Sequence, residues 1–339
     1  MSSKSKVTRI NQAICEKNLD RLCALGQTKE GFVNDGLRRL VWPLLLHGPT
    51  TATAKPISRT KHADEDQLAL DVHRSSLPVS RNQGKRHRQR EKSDISVVAT
   101  QVLRANPDLH YYQGFHDVCA TLASVLGSDP PFPVSTDAME KDLEKVTANL
   151  DLLYPLIRQQ DPKVAAFLLE SGTPPYFALS WVITWFSHDI DRPASIVRLF
   201  DLFISSHPFM PLYLSAAVVM HHRQELLDSE CDYPTLHTLL THSVKGAVSE
   251  EVIDHAVTMI HQIPPSLLQD IASGKITTQS PVSRLTSYVR FLGPRLSRVL
   301  RSRSSHIFGS SVLLLLLAWA LRPSLLSFLV THPTGSSST

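Results

Sequence analysis

Apolar residues recur at intervals of three and four over most of this chain, and few stretches alternate between apolar and polar residues. This spacing is typical of an amphipathic α-helix, because every third or fourth residue lies on the same side of a helix. The clearest stripes are Ile95, Val98 and Val102 and, after an Asn-Pro-Asp turn, Phe115, Val118, Leu122 and Val125. The pattern predicts an all-α fold, with one helix over 94–104 and another beginning near Gly114.

A shorter helix is predicted upstream, ending soon after Arg74. The three acidic residues 64–66 form its opening turn, where carboxylates interact favourably with the positive end of the helix dipole, and Pro78 stops it. Asp71 and Arg74 are three residues apart and share a face, so the carboxylate can orient the guanidinium near the exposed helix end. The same spacing also occurs in ordinary surface ion pairs, which contribute only about 0.2–0.5 kcal/mol.

Gln113 lies at the exposed start of the helix that begins near Gly114. One face of that helix is apolar and therefore buried, which makes the helix a rigid support for the residue at its entry. A neutral amide in this place can orient a water molecule. The alternative is that Gln113 is a capping residue and that Tyr111 and Tyr112 are core or rim aromatics.

Five motifs in this order resemble the TBC-domain GTPase-activating proteins, all-helical proteins that stimulate GTP hydrolysis by Rab GTPases. Two of the motifs are Leu68-x-x-Asp71-x-x-Arg74 and Tyr111-x-Gln113, which correspond to the family's Ile-x-x-Asp-x-x-Arg and Tyr-x-Gln. The other three are Arg38-Arg-Leu-Val41-Trp42-Pro-Leu44-Leu45, Trp181-Val-Ile-Thr-Trp185-Phe186 and Arg198-Leu-Phe-Asp201. The resemblance implies a multi-helix TBC-type Rab-GAP domain.

The same resemblance assigns roles to four residues. Arg74 is implied to be an arginine finger and Gln113 a glutamine finger, both acting in trans on the bound GTP of a Rab. Asp71 and Tyr111 are implied to support the two fingers. The implied partner is a Rab GTPase in the GTP-bound form. GTP and Mg²⁺ would be carried by that partner, so the chain is expected to need no cofactor of its own.

The net charge of +4 is unevenly distributed along the chain. Residues 81–92 carry six Lys or Arg and one Glu, and residues 284–303 carry six Arg and no acid. Neither segment has interleaved stacking aromatics beyond Tyr288 and Phe291, and no nucleic-acid fold signature occurs. The chain is therefore not expected to bind nucleic acid, and residues 81–92 are predicted to be a solvated basic loop.

The cysteine, histidine and glycine patterns argue against several other site classes. The four cysteines are scattered with no Cys-x-x-Cys, which is typical of reduced thiols rather than disulfides or metal ligands. The 16 histidines include no His-Glu-x-x-His and no Cys/His cluster, so no metal site is expected. The chain also lacks a Walker-type glycine loop, so it is not expected to bind nucleotide alone.

The C-terminal region predicts a membrane anchor. Residues 307–321 contain no charge and would span about 22 Å as a helix, short of a hydrocarbon core of about 30 Å. Continuing the segment to Val330 gives enough length, with Arg322 close to the interface. The arginines of 284–303 precede the span, which predicts a tail-anchored protein with its catalytic part in the cytosol. The N-terminus lacks the apolar region of a signal peptide, and the resemblance implies the endoplasmic reticulum membrane.

The chain is thus divided into a helical lead-in, a TBC Rab-GAP domain that includes the basic loop, a linker with an Arg-rich juxtamembrane segment, a transmembrane anchor and a short polar tail. Their predicted bounds are 1–26, 27–263, 264–306, 307–330 and 331–339.

Two other functions stay open at this point. The first is a non-catalytic Rab-binding adaptor on the same fold, because the stretch 75–80 is shorter than the one that commonly follows the arginine in the family. The second is a membrane-shaping or tethering protein that works through its C-terminal region, with the helical domain as a spacer. The presence of both Arg74 and Gln113 favours a GTPase-activating protein over the adaptor. The resemblance implies that its substrate is a Rab of the early secretory pathway, active in traffic from the endoplasmic reticulum to the Golgi.

Overall fold

The computed structural model describes residues 3–47, 58–75, 84–127, 139 and 144–274. Within these residues the chain forms α-helices and one 3₁₀ turn at Pro175–Ala178, and no strand. The α-helices are α1 (Ser3–Cys15), α2 (Leu19–Gln27), α3 (Asp35–His47), α4 (Glu65–Arg74), α5 (Lys85–Ala105), α6 (Phe115–Leu126), α7 (Glu144–Leu150), α8 (Leu153–Gln160), α9 (Pro162–Glu170), α10 (Leu179–Ile183), α11 (Pro193–Ile204), α12 (Met210–His221), α13 (Arg223–Leu227), α14 (Tyr233–Ala247), α15 (Glu250–Gln262) and α16 (Pro265–Ala272). The all-α prediction is confirmed for this part of the chain.

The centre of the core is α12. Residues 210–219 of this helix are all buried, as expected for a helix that is apolar on every side. Helices α8, α14 and α15 pack around it. Helices α1 and α2 also contribute buried side chains to the same core, Ile10, Ala13, Leu22 and Leu25.

Two of the sequence motifs meet at the carboxylate of Asp201, which is completely buried. The indole Nε1–H of Trp42 donates to Asp201 Oδ1 at 2.8 Å, and Arg38 Nη2 donates to Oδ2 at 2.9 Å. The backbone N–H of Phe32 donates to Oδ2 at 3.0 Å. Gly31 has φ +50°, and a Cβ there would lie 2.2 Å from Oδ2, so only glycine fits against this carboxylate. The motifs at 38–45 and 198–201 therefore join α3 to α11.

Helices α4 and α5 lie antiparallel, and α5 packs against α6. Arg104, near the end of α5, donates to both carboxylate oxygens of Glu65 at the start of α4, at 2.6 and 2.7 Å. Lys92 Nζ donates to the backbone carbonyl of His73 at 2.6 Å. The two ends of α4 are thus held against α5. This packing fixes the position of the helix that carries Arg74.

The prediction of a basic loop at 81–92 is wrong for its second part, because α5 begins at Lys85. Residues 85–105 contain no Gly or Pro, and Lys, Arg, Gln and Glu have high helix propensity. Residues 85–92 are therefore helical rather than part of a loop.

The predicted linker beginning at residue 264 is also wrong at its start. Helix α16 follows the Pro264-Pro265 pair, and its Leu267 and Leu268 are buried. Pro265 is the first helical residue, a place that proline favours because its fixed φ suits a helix and its missing N–H is not needed there.

The predicted anchor 307–330, the Arg-rich segment 284–303 and the polar tail lie outside the described residues. Among the helices that the structure describes, none is both long enough and apolar enough to cross a membrane.

Candidate functional site

Arg74 is the last residue of α4, and its side chain is exposed. It makes no side-chain hydrogen bond or ion pair with another residue in the described part of the chain. The guanidinium is therefore presented at the end of a helix that α5 holds in place. This is a suitable arrangement for a cation that acts on a partner molecule.

The predicted pair between Asp71 and Arg74 does not form. The Tyr111 hydroxyl donates to Asp71 Oδ2 at 2.9 Å, and Gln67 Nε2 donates to Oδ1 at 3.0 Å. A half-buried hydroxyl needs an acceptor more than an exposed guanidinium does, because water solvates the guanidinium. Asp71 therefore supports the site through Tyr111 and leaves Arg74 unconstrained by an ion pair.

The Tyr111–Asp71 hydrogen bond joins the two predicted finger segments. Asp71 is three residues before Arg74, and Tyr111 is two residues before Gln113. Burial, followed by the hydrogen bond to Asp71, raises the pKa of Tyr111 above its ordinary value. The hydroxyl therefore keeps its proton and remains a donor. This hydrogen bond therefore links two segments that are forty residues apart in sequence.

Gln113 is exposed and directly precedes Gly114, the N-cap of α6. Gly114 has φ +97°, and a Cβ at this position would lie 2.6 Å from Thr184 Cγ2. The hydroxyl of Tyr112 donates to the backbone carbonyl of Ile183 at 2.7 Å. The backbone around Gln113 is therefore held closely against the motif at 181–186. That motif has a structural role in placing the predicted glutamine finger.

Two acidic residues at the start of α4 also hold the site together. Asp64 Oδ2 accepts from the backbone N–H of Tyr111 at 3.0 Å, which gives a second link between the finger segments. The hydrogen bond from Arg104 lowers the pKa of Glu65 to about 2. Glu65 is thus ionised at neutral pH and keeps its link to α5. The sequence pattern placed these acids in the opening turn of the helix but did not reveal these partners.

Three further polar residues, the buried His116 and Asp117 and the exposed His188, lie behind Tyr111, and none of them was a candidate from the sequence. His116 Nδ1 is 2.9 Å from the Tyr111 hydroxyl oxygen, and Asp117 Oδ2 is 2.7 Å from His188 Nδ1. Burial lowers the pKa of His116, whereas the hydrogen bond to Asp117 raises the pKa of His188. The sequence contains one indication of these contacts, because His116 and Asp117 are polar residues at the start of an otherwise apolar helix.

The chemistry of the site follows from these contacts. It presents an exposed cation and an exposed neutral amide on two segments that are joined by partly buried hydrogen bonds. Within the described residues, no group of three or more His, Cys, Asp or Glu side chains is arranged to hold a metal ion. The arrangement can stabilise negative charge and orient a water on a partner molecule.

Comparison with known proteins identifies the same region. Residues 35–227 match the family model of the Rab-GTPase-TBC domain, within the predicted bounds 27–263. The chain is 34% identical to TBC1 domain family member 20 of Bos taurus over 279 residues, which cover 78% of this chain and 69% of the relative. It is 33% identical to the Homo sapiens protein of that name, with the same coverage.

A more distant relative and a solved structure agree with this match. GTPase-activating protein gyp10 of Schizosaccharomyces pombe is 29% identical over 282 residues, covering 78% of this chain and 74% of the relative. The crystal structure of the Ypt/Rab-GAP domain of Gyp1p superposes with a TM-score of 0.55 at 13% identity. The superposition covers 81% of this chain and all of that domain, and it shows a shared fold.

Proposed function

Because the chain belongs to the Rab-GTPase-TBC domain family and is a Rab GTPase-activating protein, we propose that it supplies Arg74 and Gln113 in trans to a GTP-bound Rab of the early secretory pathway. The observation that carries the finger assignment is the Tyr111–Asp71 hydrogen bond. This bond joins the segment that carries Arg74 to the segment that carries Gln113. Both side chains are exposed, and their chemistry suits phosphoryl transfer.

Each residue has a distinct role in this proposal. Arg74 approaches the γ-phosphate and stabilises the negative charge that develops as the phosphoryl group separates. Gln113 orients the attacking water through its neutral amide. Asp71 and Tyr111 position the two segments and do not touch the nucleotide. GTP and Mg²⁺ come with the Rab, and this chain contributes only side chains.

We expect replacement of Gln113 by alanine to lower the acceleration of GTP hydrolysis by about 10²- to 10³-fold, the usual effect of removing one positioned polar group from a transition state. The measurement is single-turnover hydrolysis by a panel of GTP-loaded Rabs with the full-length protein in detergent. Gln262→Ala is the control, because Gln262 is an exposed glutamine at the end of α15. Equal activity of the two variants would contradict the proposed role of Gln113.

The proposed location is the endoplasmic reticulum membrane, with residues 307–330 as a C-terminal anchor and the helical domain in the cytosol. Support comes from the uncharged segment, from the arginines that precede it and from the family resemblance of the motifs. Deleting residues 307–339 is expected to move the protein from the membrane fraction to the soluble fraction. Acceleration of a Rab in solution should persist. Retention of the shortened chain in the membrane fraction would contradict the proposed anchor.

A further inference from the structure

We propose that His116 is a positioning residue for the reaction. It fixes the Tyr111 hydroxyl, and through this hydroxyl it holds the segments of Arg74 and Gln113 in their working arrangement. The inference rests on the finger roles proposed above. His116 itself is buried within the first turn of α6 and does not reach the partner.

The count of protons determines how His116 and Tyr111 interact. A tyrosine hydroxyl has one proton, and an ionised carboxylate can only accept a hydrogen bond. The Tyr111 proton is therefore donated to Asp71, at 2.9 Å. His116 Nδ1 is also 2.9 Å from the hydroxyl oxygen, so this nitrogen must carry a proton and donate it. The two contacts of the Tyr111 oxygen are thus satisfied together when His116 Nδ1 carries a proton.

The surroundings of His116 leave its ring little freedom. Its side chain is 5% exposed, and its plane lies at 29° to the Tyr111 ring with 6.5 Å between centroids. Its Nε2 is 3.6 Å from Asp117 Oδ1, and the other oxygen of Asp117 is engaged by His188 at 2.7 Å. The Nδ1–H group therefore points at the Tyr111 oxygen from a fixed place.

Loss of the Nδ1–H donor should weaken the Tyr111–Asp71 link between the segments that carry Arg74 and Gln113. The Tyr111 oxygen would lose one partner in a half-buried place, and its ring would be free to shift relative to Asp71. Small displacements of catalytic groups reduce rate more than they reduce binding. We expect His116→Leu to lower the maximal rate of GTP hydrolysis by about fivefold to tenfold, as for the loss of one hydrogen bond. The concentration of activator that gives half of the maximal rate should stay within about twofold.

The conservative variant His116→Asn tests whether the donor matters. An asparagine amide can place an N–H near the position of the histidine Nδ1, whereas leucine cannot donate. Both variants are measured as full-length protein in detergent, with thermal unfolding recorded alongside. The asparagine variant should recover most of the wild-type rate. If asparagine and leucine reduce the rate equally while both remain folded, the donor has no role and the inference is wrong.

A double-mutant cycle with Tyr111→Phe tests whether His116 acts through the hydroxyl. Phenylalanine removes the oxygen that His116 holds, so His116→Leu should cost nothing further in the Tyr111→Phe background. If His116→Leu lowers the rate equally in both backgrounds, His116 contributes by some other route. That result would overturn this inference but not the proposed finger function. Absence of any acceleration by the wild-type chain would instead overturn the proposed finger function, and this inference with it.

Discussion

Replacing Arg74 with alanine is expected to lower the acceleration of GTP hydrolysis by about 10³- to 10⁵-fold, which corresponds to roughly 4 to 7 kcal/mol of barrier. The reason is electrostatic, because a guanidinium close to the γ-phosphate stabilises charge that develops only in the transition state. Arg74 is exposed at the end of α4 and pairs with no residue in the described part of the chain. Its removal should therefore leave the fold unchanged.

Single-turnover hydrolysis and a separate binding assay with a GTP-loaded Rab check this prediction. Binding should be largely retained by Arg74→Ala, because the residue acts mainly in the transition state. Arg74→Lys should also lose most of the activity, since an ammonium lacks the planar, bidentate geometry of a guanidinium. The control is Arg158→Ala, because Arg158 is an exposed arginine in the last turn of α8.

The result also separates the catalytic function from the adaptor alternative. If wild type and Arg74→Ala bind the Rab equally and neither accelerates hydrolysis, the chain is a binding adaptor. If Arg74→Ala keeps the wild-type acceleration of GTP hydrolysis, Arg74 is not the arginine finger.

Replacing Asp201 with alanine is expected to lower the free energy of unfolding by about 3–5 kcal/mol, the usual cost of removing one partner from a buried ion pair. Arg38 would lose its buried partner and would keep its contact with the exposed carboxylate of Asp35. The Trp42 and Phe32 N–H groups would lose their acceptor. Because folded domains are stable by only about 5–15 kcal/mol, this change is a large fraction of the total.

Urea unfolding of the full-length protein, followed by circular dichroism, measures this change. Asp201→Asn should be less damaging, because an amide oxygen can still accept one of the hydrogen bonds. The control is Asp254→Ala on the exposed side of α15, which is expected to change stability by less than about 0.5 kcal/mol. A loss below about 1 kcal/mol for Asp201→Ala would show that the carboxylate does not join the two motifs as described.

These two predictions separate the family motifs by their physical role. The motifs at 38–45 and 198–201 converge on a buried carboxylate and stabilise the core. The motif at 181–186 supports the backbone next to Gln113. Arg74 and Gln113 are exposed and have chemistry suited to a nucleotide, so loss of activity without loss of stability is expected at these two positions.

The sequence predicted only the second half of α5. The stripe of Ile95, Val98 and Val102 located its second half, and all three residues are buried. The sequence of its first two turns is polar and contains no apolar stripe, so hydrophobic periodicity gives no signal for a helix there. Intrinsic helix propensity and the contact from Lys92 to α4 decided that part of the structure.

The helical class, the α6 boundary at Gly114 and the exposure of Arg74 and Gln113 at helix ends could all be predicted from the sequence. These features depend on neighbouring residues, because helix periodicity and terminal signals act over a few positions. The pairing of Asp71 with Tyr111, forty residues away, rather than with Arg74 depends on how the helices pack and could not be predicted from the sequence. Helix packing also decides that Asp201 accepts from Arg38 across 163 residues and that His116 lies against Tyr111. The physical reason is desolvation, because packing determines which polar groups lose water, and those groups must then bond to one another.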